Sequence, residues 1–223
     1  MSVCAIDHLV VTAPSLAVGA RYVRQTLGAE MQPGGEHPQM GTHNLLLRLG
    51  DATYLEVISI SPSARHPGRP RWFGLDECGV QDAPRLATWV SRADHIGAAV
   101  AVAAEPLGVI EPMRRGELEW NITIPADGRP VLDGVAPALI EWSDGRHPAD
   151  RLNDVGCRMI GIELFHSDAA RVSLLLSRLG LTDAITVTPL PPGARGFIAA
   201  HIATPSGDRV LATPDIGRPR RIE

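Results

Sequence analysis

The chain has 223 residues, and its 21 basic and 25 acidic side chains give a formal net charge of −4 at pH 7. This balance provides no basic field for a phosphate backbone, so we expect no nucleic-acid partner. All of the basic residues are arginine, which excludes a Schiff-base lysine, a lysine general base and a P-loop lysine.

The apolar residues predict a globular core and no membrane span. The longest apolar run, about residues 96–104, is far shorter than the roughly 20 residues that a spanning helix needs. The first apolar run has no basic segment before it, which argues against a secretory signal. The three cysteines lack CxxC spacing and indicate free thiols. We therefore predict a cytoplasmic protein with no membrane partner.

The first part of the chain has the pattern of one strand, one helix and further strands. Residues 4–13 alternate as a strand does, and Ser15 can cap a helix that ends at Gly28. A connection rich in glycine and proline, QPGGEHPQMG, then precedes NLLLRLG and DATYLEVISIS, two strand-like runs that meet at Gly50 and Asp51. We interpret this part as a βαβββ unit whose second strand is the weakest.

The same order of elements recurs twice, which predicts an α+β fold made of repeated βαβββ units. The third unit is expected to be structural. The predicted divisions are a first unit at 4–61, a connection at 62–85, a second unit at 86–144, a connection at 145–157, a third unit at 158–214 and a tail at 215–223.

Several segments of the first two units resemble the glyoxalase-like branch of the vicinal oxygen chelate superfamily. They are IDHLVV, GGEHPQMGTHNLLLRLG, YLEVIS, RWFGLDE and ALIEW. The resemblance implies paired, curved mixed sheets that enclose a cleft, with the helices on the outside. It also implies a divalent metal in that cleft and a small substrate that chelates it through neighbouring oxygens.

In that superfamily each unit offers one metal ligand from its first strand and one from its last. The resemblance places these ligands on His8 and Glu56 in the first unit. The sequence is consistent with this placement, because a carboxylate inside the apolar run YLEVI costs much free energy unless it is paired, protonated or bound to a cation. An ion pair of Glu56 with Arg48 or Arg24 is the alternative.

A third ligand follows from the predicted hairpin. If the turn at Gly50 and Asp51 has two residues, Leu45 lies opposite Glu56, and His43 lies on the same face as Glu56. Two imidazoles and one carboxylate suit Zn, Fe(II), Mn or Ni, and these ligand types do not identify the metal. A hydrogen-bonded core role is the alternative for each histidine.

The second unit offers Glu141 in ALIEW as the counterpart of Glu56. We expect Glu141 to be the general base, because no histidine is paired with it; an ion pair is the alternative. Ala87 or Trp89 stands where the resemblance implies a further ligand, which is a departure from the family pattern. In the third unit the counterparts are Ile162 and Thr213, and neither suggests a metal site.

Other polar and aromatic residues are candidates for binding the substrate. His37 would line the mouth of the cleft, and Trp89, Trp120 and Trp142 would stack on a flat ligand. Turn formation and core packing are the alternatives for these side chains. The predicted substrate-binding residues are His37, Asn44, Tyr54, Trp89 and Trp120.

Two functions are compatible with these residues. The first is a metal-dependent lyase, isomerase or dioxygenase that acts on a small oxygen-chelating substrate. The second is a metal-free protein that binds and sequesters a small molecule, which the missing ligand in the second unit favours. A homodimer is also predicted, since the third unit must cover its sheet on the first two units or on a second chain.

Overall fold

The computed structural model describes residues 4–181 and 184–212. The predicted tail and Thr213 lie outside these residues. The strands are β1 (Cys4–Thr12), β2 (Gln32–His37), β3 (Thr42–Arg48), β4 (Tyr54–Ile60), β5 (Arg85–Ala93), β6 (Val109–Arg115), β7 (Leu118–Ile124), β8 (Ala138–Trp142), β9 (Arg158–His166), β10 (Ile185–Pro189), β11 (Phe197–Thr204) and β12 (Gly207–Ala212). The α-helices are α1 (Leu16–Leu27), α2 (Ile96–Val102) and α3 (Ala169–Leu179).

Helix α1 begins and ends where the sequence predicts. The Ser15 side chain accepts a hydrogen bond from the Val18 backbone N–H, which satisfies a donor of the first turn. Gly28 follows the last turn in the left-handed conformation, with a φ of 70°, which glycine adopts without strain. The buried face of the helix holds Val23 and Leu27 and packs against the sheet.

The first two units form one eight-stranded mixed sheet in the order β2-β3-β4-β1-β5-β8-β7-β6. Within each unit the first strand pairs in parallel with the last, and β1 joins β5 in antiparallel pairing at the centre of the sheet. The outermost strands, β2 and β6, contact each other, so the sheet curls strongly around its concave face. The predicted α+β fold with a curved mixed sheet around a cleft is confirmed.

The two faces of this sheet have different partners. Leu9 and Val11 of β1 belong to the core on the convex face, which the helices cover. Val10 belongs to the core on the concave face, together with Trp72 and Phe73 from the segment between the two units. That segment therefore crosses the concave face and fills part of it.

The third set of elements follows the predicted order along the chain, but its strands pair differently. Its four strands have the order β10-β9-β11-β12, and β9 pairs in parallel with the second strand of the set rather than the last. Strands β11 and β12 contact β5, and buried residues such as Ile202 share the convex core with Trp89. The four-stranded sheet is thus covered by the first two units. A homodimer stays a prediction.

Within the described residues, every helix is too short or too polar to span a membrane.

Candidate functional site

A bulge in β1 directs two neighbouring polar side chains towards the concave face. The pairing of β1 with β5 is regular up to Ile6 opposite Ser91 and resumes with His8 opposite Val90, so Asp7 is the extra residue. Both Asp7 and His8 are almost completely buried, at 0% and 4% exposure. Because neighbouring residues of a regular strand face opposite sides, only the bulge lets both side chains reach this face.

The Asp7 carboxylate accepts hydrogen bonds from several donors. The donors are His8 Nδ1 at 2.6 Å, Trp142 Nε1 at 3.0 Å, His147 Nε2 at 3.1 Å and Arg92 Nη1 at 3.4 Å. Burial alone would raise the pKa of Asp7, but hydrogen bonds and positive charge from His147 and His8 outweigh burial and lower this pKa below its ordinary value. Asp7 is therefore a carboxylate that holds its neighbours in place.

Asp7 also determines which nitrogen of His8 faces the cleft. The Nδ1–H of His8 donates to Asp7, which leaves Nε2 3.7 Å from Oε2 of Glu56. The parallel pairing of β1 with β4 places Val10 beside Glu56 and His8 beside Tyr54, whose rings stack with centroids 4.5 Å apart. His8 and Glu56 are brought together as the sequence suggests.

Glu56 has a partner that the sequence did not indicate. The side-chain amide of Asn44 donates to Oε1 of Glu56, and both side chains are buried. Neither predicted arginine pairs with Glu56, because Arg48 bonds Asp51 and Arg24 bonds Glu30. The ion-pair alternative for Glu56 is therefore wrong.

Two glycines of β2 make room for side chains of the site. A Cβ atom at Gly34 would lie 2.1 Å from Oδ1 of Asn44, and a Cβ atom at Gly35 would lie 2.9 Å from Cδ of Arg115. Neither distance is possible without a shift of the neighbouring side chain. The segment QPGGEH, which we interpreted as a connection, is thus an edge strand whose glycines admit Asn44 and Arg115.

A small cleft of about 310 Å³, including its open mouth, lies above these residues. Aromatic side chains form much of its wall, and Trp120 packs on Trp142 with ring centroids 5.4 Å apart. The lining residues are His8, His37, Tyr54, Glu56, Trp72, Phe73, Arg115, Trp120, Ile122, Ile140 and Trp142. Burial, followed by the charges of Asp7 and Glu56, raises the pKa of Tyr54 well above its ordinary value.

His37 lies in the cleft as a neutral imidazole. Its Nδ1 is 3.1 Å from Oγ1 of Thr42, and its Nε2 is 3.4 Å from Nη1 of Arg115. An arginine only donates, so Nε2 accepts and the proton is on Nδ1. Burial, and then the charges of Arg115, His8 and His43, lower the pKa of His37 well below its ordinary value.

His43 is not part of this cluster, because the predicted register of the hairpin is wrong by one residue. Leu46 lies opposite Glu56, and His43 lies opposite Ser59. The turn from Leu49 to Thr53 is longer than two residues. A slip of one residue moves every side chain of the strand to the other face, so Asn44 takes the position that we expected for His43.

Trp89 and Glu141 also face away from the cleft. Trp89 is completely buried in the convex core, where its Nε1–H donates to the Val135 carbonyl oxygen at 2.8 Å. Ile140 and Trp142 face the cleft, so Glu141 between them faces α2, and its Oε2 accepts from the Ile96 backbone N–H at 2.7 Å. Neither residue occupies the role predicted for it, as substrate-binding residue or general base.

The register also identifies the positions in the second unit that correspond to His8 and Glu56. His8 lies opposite Val90 and Val10 opposite Thr88, so a pseudo-twofold axis between the strands relates His8 to Thr88. The same axis relates Val10 to Val90. Because Val10 lies beside Glu56 and Val90 lies beside Ala138, Ala138 is the counterpart of Glu56. These pairs replace the predicted counterparts Ala87, Trp89 and Glu141.

The donor groups at the site do not suit a divalent metal with three or more protein ligands. In the described part of the chain, no three His, Cys, Asp or Glu side chains are placed to hold one ion. His8 and Glu56 converge, but Asn44 presents its amide N–H rather than its oxygen to Glu56. The guanidinium of Arg115 adds a fixed positive charge to the same cleft.

Three polar residues of the site were missed by the sequence analysis. Asp7 lies in an apolar strand and was not singled out. A carboxylate at such a position is as costly to bury as Glu56, so the same argument applied to it. His147 accepts the Ala149 backbone N–H through Nδ1, while its Nε2 reaches Asp7, which is 140 residues away in the chain. No local pattern marks Arg115, because only the curl of the sheet brings β6 next to β2.

Comparisons with known proteins agree with this fold. The family model described as a glyoxalase-like domain matches residues 6–180. A search of curated proteins finds no match.

Solved structures resemble the chain at low sequence identity. A hypothetical protein from Staphylococcus aureus has a TM-score of 0.57 at 11% identity, covering 94% of this chain and 85% of its own. A methylmalonyl-CoA epimerase in complex with methylmalonyl-CoA scores 0.44 at 18% identity over 66% of this chain and 100% of its own. A 4-hydroxymandelate synthase variant from Streptomyces coelicolor scores 0.46 at 13% identity over 96% of this chain and 64% of its own. The matched family model, which covers most of the chain, shows that the chain belongs to the glyoxalase-like domain family.

Proposed function

We propose that the protein is an enzyme of the isomerase or lyase type that moves a proton on a small oxygen-bearing molecule bound in the cleft. The observation that carries this proposal is the buried row of Asp7, His8 and Glu56 beside the cleft. A carboxylate that orients an imidazole, with a second carboxylate at its free nitrogen, is an arrangement suited to general acid–base chemistry.

The geometry indicates how these groups would share a proton. His8 and Glu56 lie side by side on neighbouring strands, so both act on the same face of a bound molecule. Glu56 takes a proton from a carbon next to a carbonyl group, Nε2 of His8 shares it, and Asp7 stabilises the imidazolium. Return of the proton to a neighbouring atom gives an isomer, whereas loss of a leaving group gives a lyase product.

The metal-dependent lyase, isomerase or dioxygenase predicted from the sequence would need Zn, Fe(II), Mn or Ni in this cleft. The donor groups do not fit such an ion, and no step of the proposed reaction depends on one. Metal analysis of protein purified without a nickel column tests this point. We expect less than stoichiometric metal and activity that survives a chelator; one tightly held metal per chain, lost in Glu56→Gln, would overturn it.

The proton chemistry can be tested by following exchange of solvent deuterium into a panel of small oxo compounds by NMR. We expect the wild-type protein to label at least one of them, and Glu56→Gln or His8→Gln to slow labelling by about 100-fold or more. Glu141→Gln and His43→Gln are matched controls outside the cleft and should label at the wild-type rate. An equal loss of deuterium labelling in Glu56→Gln and Glu141→Gln would contradict the proposal.

A metal-free binding protein is the second candidate, and the aromatic wall of the cleft favours it. Trp72, Trp120 and Trp142 offer flat apolar surfaces to a ligand. The same panel separates the two candidates. Saturable quenching of tryptophan fluorescence without any exchange would support binding alone, and exchange that depends on Glu56 would support the enzyme.

A further inference from the structure

Arg115 is the cationic side chain in the wall of the cleft, and its charge has no protein counterion among the described residues. It is the last residue of β6, half-buried, and it lines both the cleft and a larger groove that opens between β2 and β6. The guanidinium has five N–H donors, and its hydrogen bond to His37 engages Nη1. Donors therefore remain for a ligand.

Two acidic residues that follow Arg115 in the chain are engaged with other arginines. Glu117 pairs with Arg146 at 3.6 Å and with Arg151 at 3.4 Å. Glu119 pairs with Arg114, the chain neighbour of Arg115, at 3.9 Å. Arg114, Arg146 and Arg151 therefore each have a carboxylate partner. Arg115, which lines the cleft, is instead hydrogen-bonded to the neutral imidazole of His37.

The protein holds Arg115 in this position from two sides. His37 accepts a hydrogen bond from the guanidinium while its own Nδ1–H is engaged with Thr42, so the imidazole is fixed and uncharged. Gly35 leaves space for the aliphatic part of Arg115, since a Cβ atom there would lie 2.9 Å from Cδ. The guanidinium is thus preorganised without being neutralised.

We infer that Arg115 binds a carboxylate of the ligand, and that the cleft takes small organic acids with an apolar or aromatic body. A guanidinium suits a planar carboxylate because two parallel N–H donors match its two oxygens. The apolar body would lie among Trp72, Trp120 and Trp142. This inference rests on the proposed function only in placing the reacting carbon near Glu56.

The test compares phenylacetate with its neutral isostere phenylacetamide, by quenching of tryptophan fluorescence at low salt. We expect wild-type protein to bind phenylacetate about tenfold or more tightly than phenylacetamide, the size of effect typical of a charge-assisted hydrogen bond. Arg115→Gln should remove this preference, and Arg115→Lys should keep part of it. Arg114→Gln, which removes the same charge from the neighbouring exposed residue, should leave the preference intact.

Each result decides the inference. Equal binding of the two probes, no saturable binding of phenylacetate by wild-type protein, or a preference that survives Arg115→Gln in folded protein would overturn it. Circular dichroism and thermal unfolding verify that each variant is folded. If Glu56→Gln abolishes exchange while Arg115→Gln keeps the preference, the inference alone fails; if the preference requires Arg115 but no oxo compound exchanges, the proposed reaction alone fails.

Discussion

His37 makes the stability of the native state depend on pH. Burial and nearby charge lower its pKa in the folded protein, whereas an unfolded histidine has a pKa of about 6.5. Below that pH the unfolded state binds a proton that native His37 does not bind. The contribution of His37 to the free energy of unfolding is therefore complete above about pH 6.5. Below that pH it is lost at about 1.4 kcal/mol per pH unit.

Urea unfolding between pH 8 and pH 5 measures this effect. We expect the free energy of unfolding of wild-type protein to fall with pH in this window, and the slope to flatten in His37→Gln. The groups that act on His37 are Arg115, His8 and His43, and all remain in that variant. His66→Gln, at an exposed histidine, is the matched control, and a flattened slope there as well would contradict the assignment.

Gly34 illustrates how a residue without a side chain can support the site. Gly34→Ala would place Cβ against Oδ1 of Asn44 and displace the amide that donates to Glu56. We expect slower exchange or weaker ligand binding than in the wild type, together with destabilisation of about 1–3 kcal/mol. Gly50→Ala is the control, because the new Cβ would have only an ordinary contact with Thr53. Equal effects of the two substitutions would argue against the proposed role.

At the scale of elements, the existence of strands and helices was predictable, but the faces of some strands were not. Local capping residues define α1, so its bounds follow from a few neighbouring side chains. Strands β5 and β8 are apolar on both faces, and alternation alone does not say which side faces the cleft. Trp89 and Glu141 were assigned to the wrong face for this reason.

Local irregularities of one residue caused the other errors in the predicted site. The first unit contains the predicted strands β3 and β4, yet a turn longer than expected shifts their register and exchanges His43 for Asn44. The bulge at Asp7 is another irregularity of one residue with no mark in the local pattern. The resemblance to the family named His8 and Glu56, whereas the contact of Asn44 with Glu56 depends on strand pairing and was not predicted.

Two helical glycines give opposite predictions for the same substitution. Gly97→Ala in α2 adds a methyl group to open space and should stabilise the protein by about 0.4–1 kcal/mol. Gly19→Ala in α1 would place Cβ 2.3 Å from Cγ1 of Val57 and should destabilise it by about 1–3 kcal/mol. Thermal and urea unfolding of both variants measure these changes. Destabilisation by Gly97→Ala would show that α2 does not tolerate a side chain at this position.

At the scale of the whole molecule, the two sheets share one core and should unfold together. All four tryptophans precede residue 157, so tryptophan fluorescence comes from the first two units and the segment between them. Ile202→Ala, in the four-stranded sheet, should lower the stability seen by fluorescence by about 2–5 kcal/mol. Val210→Ala, at an exposed position of β12, should change it by less than about 0.5 kcal/mol. A fluorescence transition insensitive to Ile202→Ala would mean that the sheets unfold independently.

The pseudo-twofold axis between β1 and β5 relates two halves of the concave face that differ in their side chains. The counterparts of His8 and Glu56, Thr88 and Ala138, line a second, apolar pocket on the other half of the concave face. The sheet therefore contains two copies of one backbone frame, and only the first copy carries a histidine and a glutamate at these positions. Substitutions in the second half can reshape the walls around a ligand while His8 and Glu56, which we propose to handle the proton, stay unchanged, so ligand specificity can change without loss of the proposed chemistry.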